Sequence, residues 1–341
     1  MNFVGVDLHK HSISVCVMIQ DSAGRRVVDR KRFACCDEEQ IVEYLNSLRP
    51  FRIVVEATAA YEWFARLVEP LAERFLLAHP KKLRVIAESA KKTDKLDSQT
   101  LAEFLALDMI PESWRPTPRV REHRVLVRAR CRIQRRITAV KNALRHVLAS
   151  YNADVPRLFT AQGRQYLAQL TLSDADRFWV DLLAEELDQQ VERRKRLDRK
   201  LAEFAQAAPV FEREARAVLA TMPGVGPVTI DVVLSELGDP RRFRSQRQAT
   251  AFAGLAPGIR QSAGRTKQLG ITKEGSRLVR WALVQAAWRA IRLTARWRAH
   301  YEQLKRRTGA KKAIVAIARR LWCVMIAMLK SGQAYRLPAT A

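Results

Sequence analysis

The chain has 341 residues, enough for two or three domains that each bury a core of their own. Its 61 Lys and Arg outweigh 35 Asp and Glu, a formal net charge of +26, which points to phosphate backbones as partners. Membrane anchoring is disfavoured: no apolar run approaches ~20 residues, and the most apolar late segment, Ala313 to Leu329, carries Arg319 and Arg320 in its middle. Five scattered cysteines (Cys16, Cys35, Cys36, Cys131, Cys323) contain no CxxC pair, suggest neither a disulfide framework nor a structural zinc site, and fit a reducing cytoplasm. No signal peptide or lipidation motif is expected.

Residues 1 to about 110 alternate strand and helix patterns, which predicts an α/β domain. Phe3 to Val17 reads as two short strands with a tight connection, and Asp7 falls near the end of the first, in an otherwise apolar run. A buried carboxylate without a partner is costly. For a lone Asp the plain explanation is a hydrogen bond to a turn; a divalent cation becomes preferable only if further acids converge. His9 and His11 alternate with Asp7, but exposed strand-end histidines are commoner than a zinc trio. Asp21-Ser22-Ala23-Gly24 is a turn, and Arg26 to Phe33 returns as a third antiparallel strand. Asp37-Glu38-Glu39 starts a helix with Ile41, Tyr44, Leu45 and Leu48 on one face.

Phe51-Arg52-Ile53-Val54-Val55-Glu56 reads as a buried parallel strand whose carboxyl end opens on a functional crevice. Trp63 to Arg74 is predicted helical, Phe75 to Ala78 a strand and Lys81 to Ser89 a helix. Leu96, Leu101, Phe104 and Leu105 then mark a helix with Asp94 and Asp97 in its first turn, three apart and so on one face. Acids at a helix start also complement the macrodipole. That explanation suffices for either one, but not for the set: Asp7, Glu56, Asp94 and Asp97 together suit one or two Mg²⁺ ions, which prefer oxygen ligands and phosphate substrates.

Pro111, Pro116 and Pro118 close the first domain. Val120 to Ser150 is helical and almost purely positive, with Arg128, Arg132 and Arg135 among its cations, and reads as tracking a nucleic-acid backbone. Asp174 to Gln206 reads as a second long helix, in an antiparallel hairpin or coiled coil suited to self-association, or as an ordinary buried helix. Met222-Pro223-Gly224-Val225-Gly226 resembles the turn of helix-hairpin-helix modules, where Gly224 and Gly226 let backbone amides approach a phosphate; the same turn also serves as a plain connector. Ser262 lies in a Gly-rich loop with Arg260, Arg265, Lys267 and Lys273 around it. A loop serine is usually a turn residue; this one has the company to sit beside a scissile phosphate. Ser276, at a helix start, fits a cap better. Arg277 to Lys330 is helical, and Trp281, Trp288, Trp297 and Trp322 read as core or interface.

Three acidic pieces, Gly5-Val6-Asp7-x-x-Lys10, Val55-Glu56-Ala57-Thr58 and Lys92-Thr93-Asp94-x-x-Asp97-Ser98-x-x-Leu101-Ala102, are followed by the Met222 to Gly226 turn. Then come Ala253-Gly254-Leu255-Ala256-Pro257, Ser262-Ala263-Gly264 and Gly270-Ile271-Thr272-Lys273-Glu274-Gly275. In this order they resemble the DEDD transposases of insertion-sequence family 110, relatives of the Piv-type DNA invertases. Ser98 stands where a small residue, often Ala, is expected, and Ala263 where Ser or Gly often follows the serine.

The resemblance implies an α/β plus α architecture. A RuvC-like, RNase H-type domain takes 1–112 and a basic coiled-coil connector for dimerisation 113–208. A mostly helical transposase domain with the serine loop takes 209–333, before a tail at 334–341. It also implies Ser262 as the DNA-attacking residue, Mg²⁺ on the four acids, a homo-oligomer that is tetrameric in the synapse, and a noncoding bridge RNA whose loops pair with donor and target DNA. The rivals are a Mg²⁺-dependent nuclease or junction resolvase that uses water, and a non-enzymatic DNA-architectural or RNA-binding protein.

Overall fold

Alternating apolar residues at Val4, Val6 and Leu8 and at Ile13, Val15 and Val17 build two antiparallel strands, β1 (Asn2–Leu8) and β2 (Ser12–Asp21). A computed structural model describes residues 1–58, 60–90, 98–262 and 265–336, with backbone alone at 86–90, 259–262 and 265–268. Following β2 are β3 (Gly24–Ala34), α1 (Glu38–Ser47), β4 (Phe51–Glu56), α2 (Tyr61–Val68), β5 (Arg74–Ala78), α3 (Pro80–Ala90) and α4 (Ser98–Ala106). The sheet order is β3-β2-β1-β4-β5, with β4 and β5 parallel to β1. The helix expected from Trp63 to Arg74 is shorter and earlier, because Pro70 has no amide to continue it.

Helices cover both faces of this sheet. Val4, Val6, Ile13, Val15, Ile53 and Val55 pack on Ile41, Leu45, Phe64 and Val68 of α1 and α2. The opposite face carries Val54, Leu76 and Ala78 against Leu83 of α3 and Leu101, Phe104 and Leu105 of α4. These elements make up the first of two compact units, Met1–Arg115; the second is Pro116–Ala341.

The second unit begins with α5 (Pro118–Ser150), with Thr117 as N-cap and Pro118 in the first turn, where a missing amide costs nothing. After α6 (Ala161–Gln169) comes α7 (Asp174–Gln206). Arg130 bonds Asp198, Arg194 bonds Gln134 and Tyr151 bonds Asp176, so α5 and α7 run antiparallel. Between them Ile137, Val140, Leu144 and Leu148 meet Val180, Leu183 and Leu187. The long pair is therefore an intramolecular hairpin.

Then follow α8 (Val210–Ala220), α9 (Pro227–Leu237), α10 (Gln246–Phe252), the hairpin β6 (Pro257–Ser262) and β7 (Arg265–Ile271), and three helices: α11 (Arg277–Leu293), α12 (Ala295–Thr308) and α13 (Ala310–Ser331). Their shared core includes Leu219, Val233, Leu283, Ile317 and Trp322, and takes in Val127 and Cys131 of α5 and Leu201 of α7. Of the late tryptophans, Trp297 and Trp322 are buried, whereas Trp281 and Trp288 are exposed at 45% and 37%. Among the described residues no helix is long and apolar enough to cross a membrane.

Candidate active site

Side chains alternate along a strand, so Phe3, Gly5 and Asp7 share the face opposite to Val4 and Val6. By the same rule Glu56 shares the face of Val54, the face that α4 covers. The parallel register sets Val6 against Val55, which brings Asp7 and Glu56 to neighbouring places at adjacent strand ends. Burial first, and then the charge of Asp7, push the Glu56 carboxyl above its ordinary range, with Arg84 opposing them. The Glu56 environment therefore favours whatever brings positive charge.

Gly5 explains how α4 reaches this site. A Cβ at Gly5 would collide with the Ser98 carbonyl oxygen and the Ala102 amide, so the start of α4 rests directly on β1, two residues before Asp7. Asp94 and Asp97 lie outside the described residues; α4 is described from Ser98. His9 Nε2 stands 3.2 Å from Asp7 Oδ2, and the exposed His11 has no bond to that carboxylate. Among the described residues no three His, Cys, Asp or Glu form a metal-sized cluster. What the structure brings together is the oxygen pair Asp7 and Glu56, a donor type suited to Mg²⁺.

The segment expected to be a Gly-rich loop is instead a two-stranded hairpin, in which Ser262 is the last residue of β6. The register sets Ser262 opposite Arg265 and Arg260 opposite Lys267, so these four occupy one set of alternate positions along the ribbon. At its base the chain segments interlock: Thr272 donates to the Ala256 carbonyl at 2.9 Å, Lys273 to Gly254 at 3.2 Å and Ser276 to Phe252 at 3.1 Å. A Cβ at Gly275 would strike the Phe252 carbonyl, and Gly254 has φ +64°. These glycines are required by backbone crossing. Lys273 is exposed beside them, itself at φ 58°. Ser276 caps α11, accepting from the Val279 amide and donating to Glu236 at 3.2 Å.

Other expected nucleic-acid contacts divide into two groups. Arg128 grips Glu236 through both nitrogens at 2.7 and 3.0 Å, and Arg124 donates to the carbonyls of Ser235 and Glu236. Arg119 bonds Glu212, and Arg135 turns back to the Cys131 carbonyl. Much of the charge on α5 thus holds α8 and α9 in place, a demand the chain meets about a hundred residues later. Arg132 is exposed and has no acidic partner among the described residues. Gly224, at φ +84°, lets α11 approach closely, since a Cβ would lie 2.7 Å from the Ala290 amide and 2.8 Å from the Ala286 oxygen. Gly226 is the N-cap of α9, with Arg289 nearby.

The comparisons with known proteins agree with this assembly of parts. Residues 4–153 match the DEDD transposase model of IS110 elements, described as "Transposase", and residues 216–302 match the model described as "Transposase IS116/IS110/IS902 family". The chain is 26% identical to a transposase for insertion sequence element IS1111A of Coxiella burnetii, across 99% of this chain and 92% of that one. It is 25% identical to a transposase for IS1328 of Yersinia enterocolitica, across 84% and 83%, and 23% identical to the pilin gene-inverting protein of Moraxella lacunata, across 98% and 97%.

The two matched models cover most of the chain and describe one class of protein, the transposases. More particularly, the chain belongs to the IS110/IS116/IS902 transposase family: it is an insertion-sequence transposase, an enzyme class that cuts and rejoins DNA.

Proposed function

We propose that this transposase exchanges DNA strands through a covalent phosphoserine on Ser262, with Mg²⁺ held by Asp7, Glu56, Asp94 and Asp97 in a RuvC-like domain. The observation that carries this reading is the Asp7–Glu56 pair, set side by side by strand register and left with a raised Glu56. When bound, Mg²⁺ would supply charge neutralisation at the scissile phosphate.

Ser262 Oγ attacks the phosphorus, the P–Oγ bond forming as the bond to the leaving sugar oxygen breaks. The serine proton passes to that oxygen. One phosphoester replaces another, so the strands rejoin without an external energy source. Arg260, Arg265 and Lys267, on the same set of alternate positions as Ser262 in the hairpin register, would stabilise charge on the phosphoryl oxygens. Lys273 at its base, Arg132 on α5, and Gly224 and Gly226 with the α9 N-terminus would bind the flanking backbone. Arg128 and Arg135 would act there only indirectly, through the scaffold they hold. The net charge of +26 leaves room for a noncoding guide RNA beside donor and target DNA, and the reading includes one, with the protein acting as a homo-oligomer.

The test uses full-length protein with donor and target DNA. Asp7→Asn is expected to lower strand exchange at least about a hundredfold. Ser262→Ala is expected to abolish both exchange and the protein–DNA adduct on a denaturing gel. Retained cleavage by Ser262→Ala would replace the reading with a water-using nuclease. Unchanged exchange by Asp7→Asn would remove the acid site.

A further inference from the structure

The strongly basic final part of the second unit forms a half-open cavity that the proposed chemistry does not use. Glu274 and Glu302 are the only acids between Pro240 and Ala341. A cavity of about 410 Å³ opens between α12, α13 and the segment that follows α13, lined by Arg296, Trp297, His300, Arg319, Arg320 and Tyr335. Arg336 adds a fourth guanidinium at the rim. Among the described residues none of these four arginines has an acidic partner or a side-chain hydrogen bond, whereas Arg124, Arg128 and Arg216 of this unit are held by carboxylates or carbonyls. The wall is fixed: Trp297 Nε1 donates to the Tyr335 hydroxyl at 3.0 Å, and the Tyr335 amide donates to Thr221 Oγ1 at 2.8 Å.

His300 reports the field inside. Its ring stands edge-on to Trp297 with centroids 6.0 Å apart, and its Nδ1 is buried without a partner. Burial, then Arg320 and Arg296, hold its pKa below the ordinary imidazole range. Four exposed guanidinium groups gathered round one concavity, with the buried, unpartnered His300 nitrogen in its wall, make a positive field suited to an anion. The size and the aromatic wall call for more than a bare one: cavities of about 300–1,000 Å³ take small organic ligands, and cations interleaved with aromatic rings are how proteins hold unpaired nucleotides.

We infer that this cavity binds a single unpaired nucleotide of a nucleic-acid strand, its phosphate on Arg296, Arg319 and Arg320 and its base against Tyr335. The inference rests on the family's action on nucleic acid and is independent of the serine and of the acids. A duplex offers its phosphates on an outer surface with its bases stacked, so a half-open concavity of this size suits a nucleotide turned out of the stack. DNA and RNA both contain that group.

The experiment measures binding of adenosine 5′-monophosphate, deoxyadenosine 5′-monophosphate, adenosine and inorganic phosphate to the full chain by calorimetry without divalent metal. Both monophosphates, or one of them, are expected to bind more tightly than inorganic phosphate and adenosine. Arg320→Ala and Arg296→Ala are each expected to weaken that binding about tenfold, with unchanged thermal midpoints. A preference for the ribonucleotide assigns the cavity to an RNA strand, and the reverse preference to DNA. Oligonucleotides containing one unpaired 4-thiothymidine or 4-thiouridine should crosslink to the peptide holding Tyr335. Equal affinity for phosphate and monophosphate, no binding at all, or arginine variants that bind as the parent does would each overturn the inference. None of these results depends on Asp7 or Ser262, so either proposal can fail alone.

Discussion

The buried acids of the second unit and the Asp7–Glu56 pair of the first are treated in opposite ways, although the first unit has Arg115 pairs of its own with Glu62 and Glu69. In the second, carboxylates are claimed by basic side chains: Glu236 by Arg128, Glu212 by Arg119 and Arg216, and Asp231 by Arg216 and His123. In the first, Asp7 and Glu56 face each other at strand ends, with His9 beside one and Arg84 only partly offsetting the other. A carboxylate already bound to a guanidinium has little left to offer a metal ion, whereas a pair left in mutual repulsion gains from one. What separates a structural acid from a candidate ligand here is whether an arginine has reached it first.

The sharpest way to break this comparison is at Gly5. The Asp7–Glu56 pair is useful only if α4 sits on β1, and Gly5→Ala puts a methyl group into the backbone at Ser98 and Ala102. Because that obstruction is backbone rather than a movable side chain, the loss of stability is expected at the upper end for overpacking, about 3 kcal/mol. Urea unfolding of the variant should show it, together with the loss of strand exchange. A variant of parental stability would mean that α4 does not bear on β1 as described.

A somewhat smaller effect is expected at Arg128. Glu236 is 4% exposed, so Arg128→Ala takes a two-point partner from a buried carboxylate that also accepts from the Ser276 hydroxyl. A destabilisation of about 2 kcal/mol is expected, lower than for a fully buried pair because the Arg128 side chain is itself 57% exposed. Arg132→Ala, four residues along the same helix, should change stability by less than about 0.5 kcal/mol. It should instead reduce by about one the slope of log affinity for DNA against log salt. If the two variants behave alike, α5 does not divide its cations between scaffold and partner.

That division was hidden in the sequence, where the arginines of α5 look alike. Their partners lie on α8 and α9, and no local pattern shows which residues those helices will place opposite α5. The long helices themselves were legible because apolar spacing over many turns leaves few alternatives. So were β1 to β4, from short apolar runs bounded by turn residues or by a helix start. The Asp7–Glu56 pair was readable as two acids at strand ends, but their adjacency depends on β1 and β4 pairing in parallel, which no local signal states. The hairpin carrying Ser262 read as a loop because its glycines and cations mask a short strand pattern; those at its base, Gly254 and Gly275, serve a backbone crossing. The cavity at Arg296 and Arg320 has no signal in the sequence, since it takes the packing of α12 on α13 to make a concavity.

The smallest expected effect tests the repulsion between Asp7 and Glu56 without any reaction. The folded-state pKa of Glu56 lies above its unfolded value, so within that window the native chain binds more protons than the unfolded one. Its contribution to stability therefore falls as pH rises through the window and is most favourable at lower pH. Melting of the parent and of Glu56→Gln, compared between about pH 4 and pH 7, should show the variant gaining on the parent as pH rises. Mg²⁺ binds the ionised carboxylates alone, so adding it should raise the melting temperature of the parent at neutral pH and cancel that gain. Asp7→Asn should remove part of the pH dependence, because burial remains when the charge is gone. A gain unaffected by Mg²⁺ would mean that the two carboxylates repel each other without forming a cation site, and the likeness between this pair and a metal-binding pair would end at their geometry.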